Sequence, residues 1–239
     1  MKKLFFVLLM LPVLGFAQSK TLLTGNRVFA KNDKAGAFEK ALASHAQKYH
    51  KGDVAWRVWS IESGPDAGGY MISEGPTTWA AMDGRGDLGA EHTADWEKNV
   101  QSLTDGRGQS AYSDFLADLS TVQLTDYADK IVITHMTSKP GKTLQTKALI
   151  QKMNKMWAAD KESVAVYSNA FSGEPGYIIV TRLKNGLKEL ADDYRKPTAD
   201  RYNAVHGAGS FDTWLNDYAN AIEKRWSEVL TYKPLLSSK

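Results

Sequence analysis

Lys40-Ala41-Leu42 … Gly69-Tyr70 returns further along the chain as Lys147-Ala148-Leu149 … Gly176-Tyr177, and this recurrence decides the fold. Both matches stand at a shift of 107 residues (40 to 147, 69 to 176). Thr93-Ala94-Asp95 and Thr198-Ala199-Asp200 follow at 105, then Ser120-x-Val122 and Ser227-x-Val229 at 107. Four matches in one order and at nearly one spacing give two halves with a shared plan, 18–127 and 128–239.

Working outward, each half reads as the same series of elements. The first has an extended segment at Leu22–Ala30, then a helix at Ala37–Tyr49 with Phe38, Leu42, His45 and Tyr49 at helical spacing. Val54–Ile61 and Tyr70–Ser73 form a hairpin across the turn residues Ser63–Gly69. Helical segments are expected at Thr78–Met82, His92–Leu103 and Ala111–Leu119, with Thr121–Leu124 as the closing strand. The second half repeats this with a strand at Lys130–Met136 and a helix at Leu144–Ala158. Its hairpin is Val164–Phe171 with Tyr177–Arg182. Helices follow, the last at Phe211–Trp226, and a final strand at Val229–Tyr232.

A β-α-β-β-α-β order is the ferredoxin-like unit, with helices on one sheet face and the other face open. A second copy in the same chain is the natural cover for that open apolar face. The fold class is therefore α+β: two tandem ferredoxin-like repeats packed as a pseudo-symmetric α+β barrel. This layout resembles the dimeric α+β barrel superfamily, and within it NIPSNAP-type proteins and relatives of the antibiotic-biosynthesis monooxygenases. The resemblance implies a cavity between the sheets. It rests on architecture over the whole of 18–239, so it carries no catalytic residue onto this chain.

Residues 1–17 have the form of a secretory signal. Lys2 and Lys3 precede the apolar run Leu4–Leu14, and Gly15 and Ala17 are small residues before an expected cleavage at Gln18. The run is shorter than the roughly 20 residues of a bilayer span. A periplasmic or secreted protein without stable membrane insertion is expected. The chain carries 30 basic and 27 acidic residues, and the signal accounts for two of the lysines. With the charge nearly balanced and no basic block, no nucleic-acid partner is expected. The 239 residues include no cysteine, which rules out disulfides, thiol catalysis and cysteine-based metal sites.

Several motifs look like chemistry. Gly84-Arg85-Gly86-Asp87-Leu88-Gly89 matches G-x-G-x-x-G, but it follows a helical segment where a dinucleotide site needs a strand. His45 and His50 are five apart, about 140° around a helix, so they do not make an i, i+4 metal pair. Glu91, His92 and Asp95 lie closer to ligand spacing but have no second histidine nearby in sequence. No metal is expected.

The hairpin strands are more suggestive. Strand alternation puts Arg57 and Trp59 on one face, and Tyr167 and Asn169 on the corresponding face of the second half. If that face is inward, the four line a pocket of mixed aromatic and polar character. Both alternating sets contain aromatics, so the inward face stays open at this point. His135 stands where the 107-residue shift puts Val28, an apolar position exchanged for a titratable one. His206, beside Gly207-Ala208-Gly209, lies in a loop that could approach a ligand. In the two-repeat haem families of the superfamily a second-repeat histidine binds the iron. The resemblance therefore makes His206 or His135 candidates for haem, although the residues themselves call for no cofactor.

The expected activity is binding of a small apolar or aromatic molecule in the inter-sheet cavity. Ligand contacts are expected from Arg57, Trp59, His135, Tyr167, Asn169 and His206. The alternatives are a cofactor-independent monooxygenase-like enzyme, with His135 and Arg57 as candidate catalytic groups, or a purely structural interaction module. Self-association into a homo-oligomer is compatible with each.

Overall fold

The computed structural model describes residues 19–85 and 88–239. The expected signal segment and the central Gly86-Asp87 of the glycine motif lie outside the described residues. Eight strands close into one barrel in the order β1-β3-β2-β8-β5-β7-β6-β4. The first half supplies β1 (Leu22–Ala30), helix α1 (Ala35–Tyr49), β2 (Trp56–Ile61) and β3 (Tyr70–Thr77). Short helices α2 (Trp79–Asp83) and α3 (Ala90–Asp95) then lead to β4 (Thr104–Phe115). The second half supplies β5 (Lys130–Ser138), α4 (Thr143–Ala159), β6 (Val164–Asn169) and β7 (Gly176–Arg182). It ends with α5 (Thr198–His206), α6 (Ser210–Ala221) and β8 (Ile222–Tyr232). Each half is a four-stranded ferredoxin-like sheet. The two sheets join edge to edge, β2 with β8 and β4 with β6, all pairs antiparallel. Closure removes the open edges that each sheet would expose alone.

The two strand faces bury different things. Outward residues Trp56, Val58, Tyr70 and Ile72 pack beneath Phe38, Leu42 and Ala46 of α1. In the second half Val164, Val166, Tyr177 and Ile179 pack beneath Leu149, Ile150, Met156 and Trp157 of α4. The repeat-matched Leu42 and Leu149 are both buried at the centre of these layers. Inward residues Trp59, Ile61, Ile131, Ile133 and Leu230 form a third cluster inside the barrel. The matched glycines open the hairpins where no side chain fits: a Cβ on Gly176 would stand 2.2 Å from the Met136 carbonyl oxygen.

Five expectations require correction. Ala111–Leu119 is not one helix, since it runs as strand to Phe115 and makes only a 3-10 turn at Ala117–Leu119, and Thr121–Leu124 is no strand; the closing strand of the first half is β4, Thr104–Phe115. Its inward positions are Gln109, Ala111 and Ser113, which face a cavity, so the strand lacks the apolar alternation that reveals strands. It is fixed by ladders to β1 and β6. The helix expected at Phe211–Trp226 ends at Ala221, and Trp226 lies on β8. The Ser120/Ser227 match therefore joins a turn to a strand and is accidental. Finally, Arg27 pairs with Met71 and His135 with Ile178, one position beyond the matched Tyr70 and Tyr177. The partner of His135 in the first half is thus Arg27 and not Val28, because the shift over the first strands is 108.

Candidate functional site in the barrel

A cavity of about 230 Å³ occupies the barrel interior. Inward residues of all eight strands reach it, because period-two alternation gives each strand one inner face. The inward set of β2 is the one containing Arg57 and Trp59. Its apolar wall is formed by Trp59, Met71, Ile131, Ile133, Ile178 and Val180. The walls differ in chemistry at the two ends.

One end is polar and tightly bonded. Arg27 on β1 reaches across β3 and β2 to Glu228 on β8. Its Nη1 donates to Glu228 Oε2 at 2.9 Å and its Nη2 to Oε1, a bidentate pair. The same Nη1 donates to Asp66 Oδ2 at 2.7 Å, from the β2–β3 turn. His135 Nε2 lies 2.8 Å from Glu228 Oε1, and its ring stacks on Trp226 with centroids 3.9 Å apart. The Glu228 side chain has no exposed area at all. Burial alone would push its carboxyl up. The hydrogen bonds from Arg27 and His135, with the Arg27 charge, outweigh this and hold it below its ordinary value. An ionised Glu228 can only accept, so His135 donates to it from Nε2, and in the neutral ring Nδ1 is the acceptor. Gly64 lets the turn close on this end: at φ +92° it adopts a backbone that favours glycine, with its Cβ position 3.0 Å from that of Glu228.

The other end carries Tyr127, Tyr167 and Arg182. Burial pushes the Tyr167 phenol up to about 12, against the pull of the Arg182 charge. The Arg57 guanidinium lies 4.0 Å from the Tyr127 ring centre, within cation–π range.

Trp59, His135, Tyr167 and Asn169 all line the cavity. Arg57 reaches it only through Tyr127. His206 is elsewhere: it ends α5 on the outside, with Nε2 2.9 Å from the Lys152 carbonyl oxygen and its ring against Tyr202. Arg27, Asp66, Arg182, Trp226 and Glu228 were not singled out by sequence reasoning. The signal for Arg27 was available, since a shift of 108 instead of 107 aligns it with His135. Glu228 gave none, because its segment read as the junction between a helix and a strand.

Of the two histidines that are candidates for haem, His206 is outside the barrel and cannot reach a group in the cavity. His135 lines the cavity with Nε2 on Glu228, a carboxylate contact of the kind metal-bound histidines make, and its Nδ1 is left over for a ligand. No step below is routed through haem. The spacing argument against a histidine cluster also needs correction. His50 lies just past the end of α1, so helical angles do not govern it, and its ring centre is 5.3 Å from that of His45. The glycine motif lies between α2 and α3, so no strand precedes it.

No protein-family model and no curated protein sequence matches the chain. Solved structures do. An anthrone oxidase-like protein superposes with a TM-score of 0.56 at 12% identity, covering 90% of this chain and 92% of the other. A protein assigned as a monooxygenase from Lactobacillus acidophilus NCFM gives 0.53 at 10% identity, covering 89% and 94%. The chlorite dismutase of Candidatus Nitrospira defluvii gives 0.53 at 9%, covering 92% and 93%. The fold is an α+β barrel, as in these structures. At these identities the likeness concerns architecture alone, and the chemistry must be read from the cavity.

Proposed function

We propose that the barrel binds a small, largely apolar or aromatic molecule carrying a hydroxyl or similar donor group. The observation that carries this reading is the cavity itself: an apolar wall of about six side chains ending in a fixed polar array. The rings supply contact area, and His135 Nδ1 supplies an acceptor that orients one end of the ligand. Arg27, Glu228 and Asp66 satisfy one another, so that end offers no free cation to an anionic ligand. The test is calorimetric titration with 1-naphthol, a probe pairing fused rings with one hydroxyl, and with naphthalene. The parent protein binds 1-naphthol more tightly, and His135→Ala removes the preference. Equal affinity for both probes in the parent, or no binding of either, would contradict the reading.

A second reading is favoured by the buried Glu228 beneath His135. A carboxylate that fixes the tautomer of an imidazole beside a cavity is an arrangement for general base catalysis. In a monooxygenase-like enzyme His135 takes a proton from the methylene carbon of an oxidisable aromatic substrate, the carbanion reduces dioxygen, one oxygen atom stays on that carbon as a carbonyl and the other leaves as water. Oxygen consumption with anthrone as probe, lost in His135→Ala and reduced in Glu228→Gln, supports it. Absence of turnover alongside ligand binding leaves the binding module. We further propose export of the chain with cleavage after Ala17, and affinity with the NIPSNAP-type and antibiotic-biosynthesis monooxygenase branches of the superfamily, on the sequence features described above.

A further inference from the structure

Three histidines meet outside the barrel, in the helical layer of the first half. His45 comes from the last turns of α1, His50 from just beyond its end, and His92 from α3. One ring nitrogen of each lies within 4.8 Å of the others. The ring centres stand 4.8 to 5.3 Å apart. His45 and His50 are fully buried, and His92 is half-buried. We propose that His45, His50 and His92 form a binding site for a first-row divalent transition-metal ion that clamps the end of α1 to α3.

Four observations support this assignment. First, the nitrogens are held as ligands are held. His45 Nδ1 is 2.7 Å from Asp95 Oδ2, and His50 Nδ1 is 3.2 Å from the Val54 carbonyl oxygen. Metal-bound histidines characteristically give their second nitrogen to a carboxylate or a backbone carbonyl, which fixes ring orientation and tautomer. Both contacts leave Nε2 as the unprotonated nitrogen. Second, His45 Nε2 is fully buried and has no hydrogen-bond partner. A bare buried lone pair is costly, and a cation would satisfy it. Third, His50 Nε2 and His92 Nε2 are 3.3 Å apart. Two nitrogens at about 2.0–2.1 Å from one tetrahedral ion are separated by about 3.3–3.4 Å. Fourth, the rings are locked by their neighbours: His50 stacks on Trp56 at 3.4 Å, and Trp96 packs against His45. Trp56 Nε1 in turn donates to Glu74 Oε2 at 2.8 Å, which Arg85 also reaches at 3.0 Å.

An all-imidazole set selects among zinc, copper, nickel and iron over calcium or magnesium, which prefer oxygen. Three protein ligands leave a fourth position for water. Nothing equivalent exists in the second half. The 107-residue shift puts Lys152 and Trp157 at the places of His45 and His50, and the layer there is closed by Tyr202, Phe211 and Trp214.

The test uses tag-free protein stripped with a chelator and titrated with Co²⁺, read by visible absorption and by thermal melting. The expected result is one equivalent bound, with the d–d bands of a nitrogen-ligated ion and a raised melting temperature. His92→Ala abolishes the bands, and Asp95→Asn weakens binding by about 10- to 100-fold. His206→Ala, an exterior histidine, changes neither. The metal-free melting temperature of each variant reports its fold, and His92→Gln serves should the alanine variant melt early. Absence of bands from the folded parent, or bands that persist in folded His92→Ala or His92→Gln, overturns the assignment.

Discussion

Arg27 and His135 hold the same place in the two halves, one position beyond a matched tyrosine, and both reach the same carboxylate. That carboxylate has no counterpart. Arg27 faces Gln109 across the β1–β4 ladder and His135 faces Trp226 across β5–β8, so the place of Glu228 is held by Ala111 in the first half. The outer layers differ likewise: histidines, Trp56 and Asp95 under α1 and α3, and an aliphatic and aromatic layer under α4 to α6. What the halves share is packing: Leu42 with Leu149, Tyr70 with Tyr177, Gly69 with Gly176. The shared positions build a closed barrel, and the unshared ones furnish its interior. The buried polar groups described above lie where the halves disagree.

That contrast can be broken at Glu228. Replacing it by alanine leaves Arg27 buried without its main counter-charge, and should cost about 3–5 kcal/mol of unfolding free energy in urea. Pairing Glu228→Leu with Arg27→Met should recover most of the loss, because matched apolar groups need no partner. At the shared positions Leu42→Ala and Leu149→Ala should each cost about 2–5 kcal/mol and nearly the same amount. Unequal costs there would show that the halves differ in packing as well as in chemistry.

The strands that read correctly from sequence are those carrying apolar residues on at least one face, such as β2, β5 and β7. β4 did not, because it spends its inner face on a cavity and its outer face on solvent. The register between halves was legible only at packing positions. A one-residue difference over β1 and β5 was enough to misassign the partner of His135. Glu228 was invisible because a buried acid has no pattern in sequence until its arginine, two hundred residues away, is placed beside it. The histidine cluster was hidden for a related reason: helical geometry ends with the helix, and His50 lies one residue beyond it.

Smaller effects sharpen the same comparison. The folded carboxyl of Glu228 titrates below its unfolded value, near 4.3. Its contribution is therefore full above that value and lost as the pH falls through the folded pKa. Unfolding free energy measured from pH 6 down to pH 3 should fall in the parent, and less steeply in Glu228→Gln. On the apolar wall, Trp59→Ala should weaken 1-naphthol by about tenfold, or 1.4 kcal/mol, without altering the pH profile. Tyr167→Phe removes only a phenol oxygen, and should change stability by about 1 kcal/mol or less.

That the interior is a binding cavity is tested most directly by filling it. Ala111 lines the cavity where the other half places a large acid, so Ala111→Trp should occupy the volume without disturbing the outer layers. Native mass spectrometry of the parent with 1-naphthol should show a single adduct, and folded Ala111→Trp should show none. An absent adduct in the parent, or one that survives in the filled variant, would contradict the account.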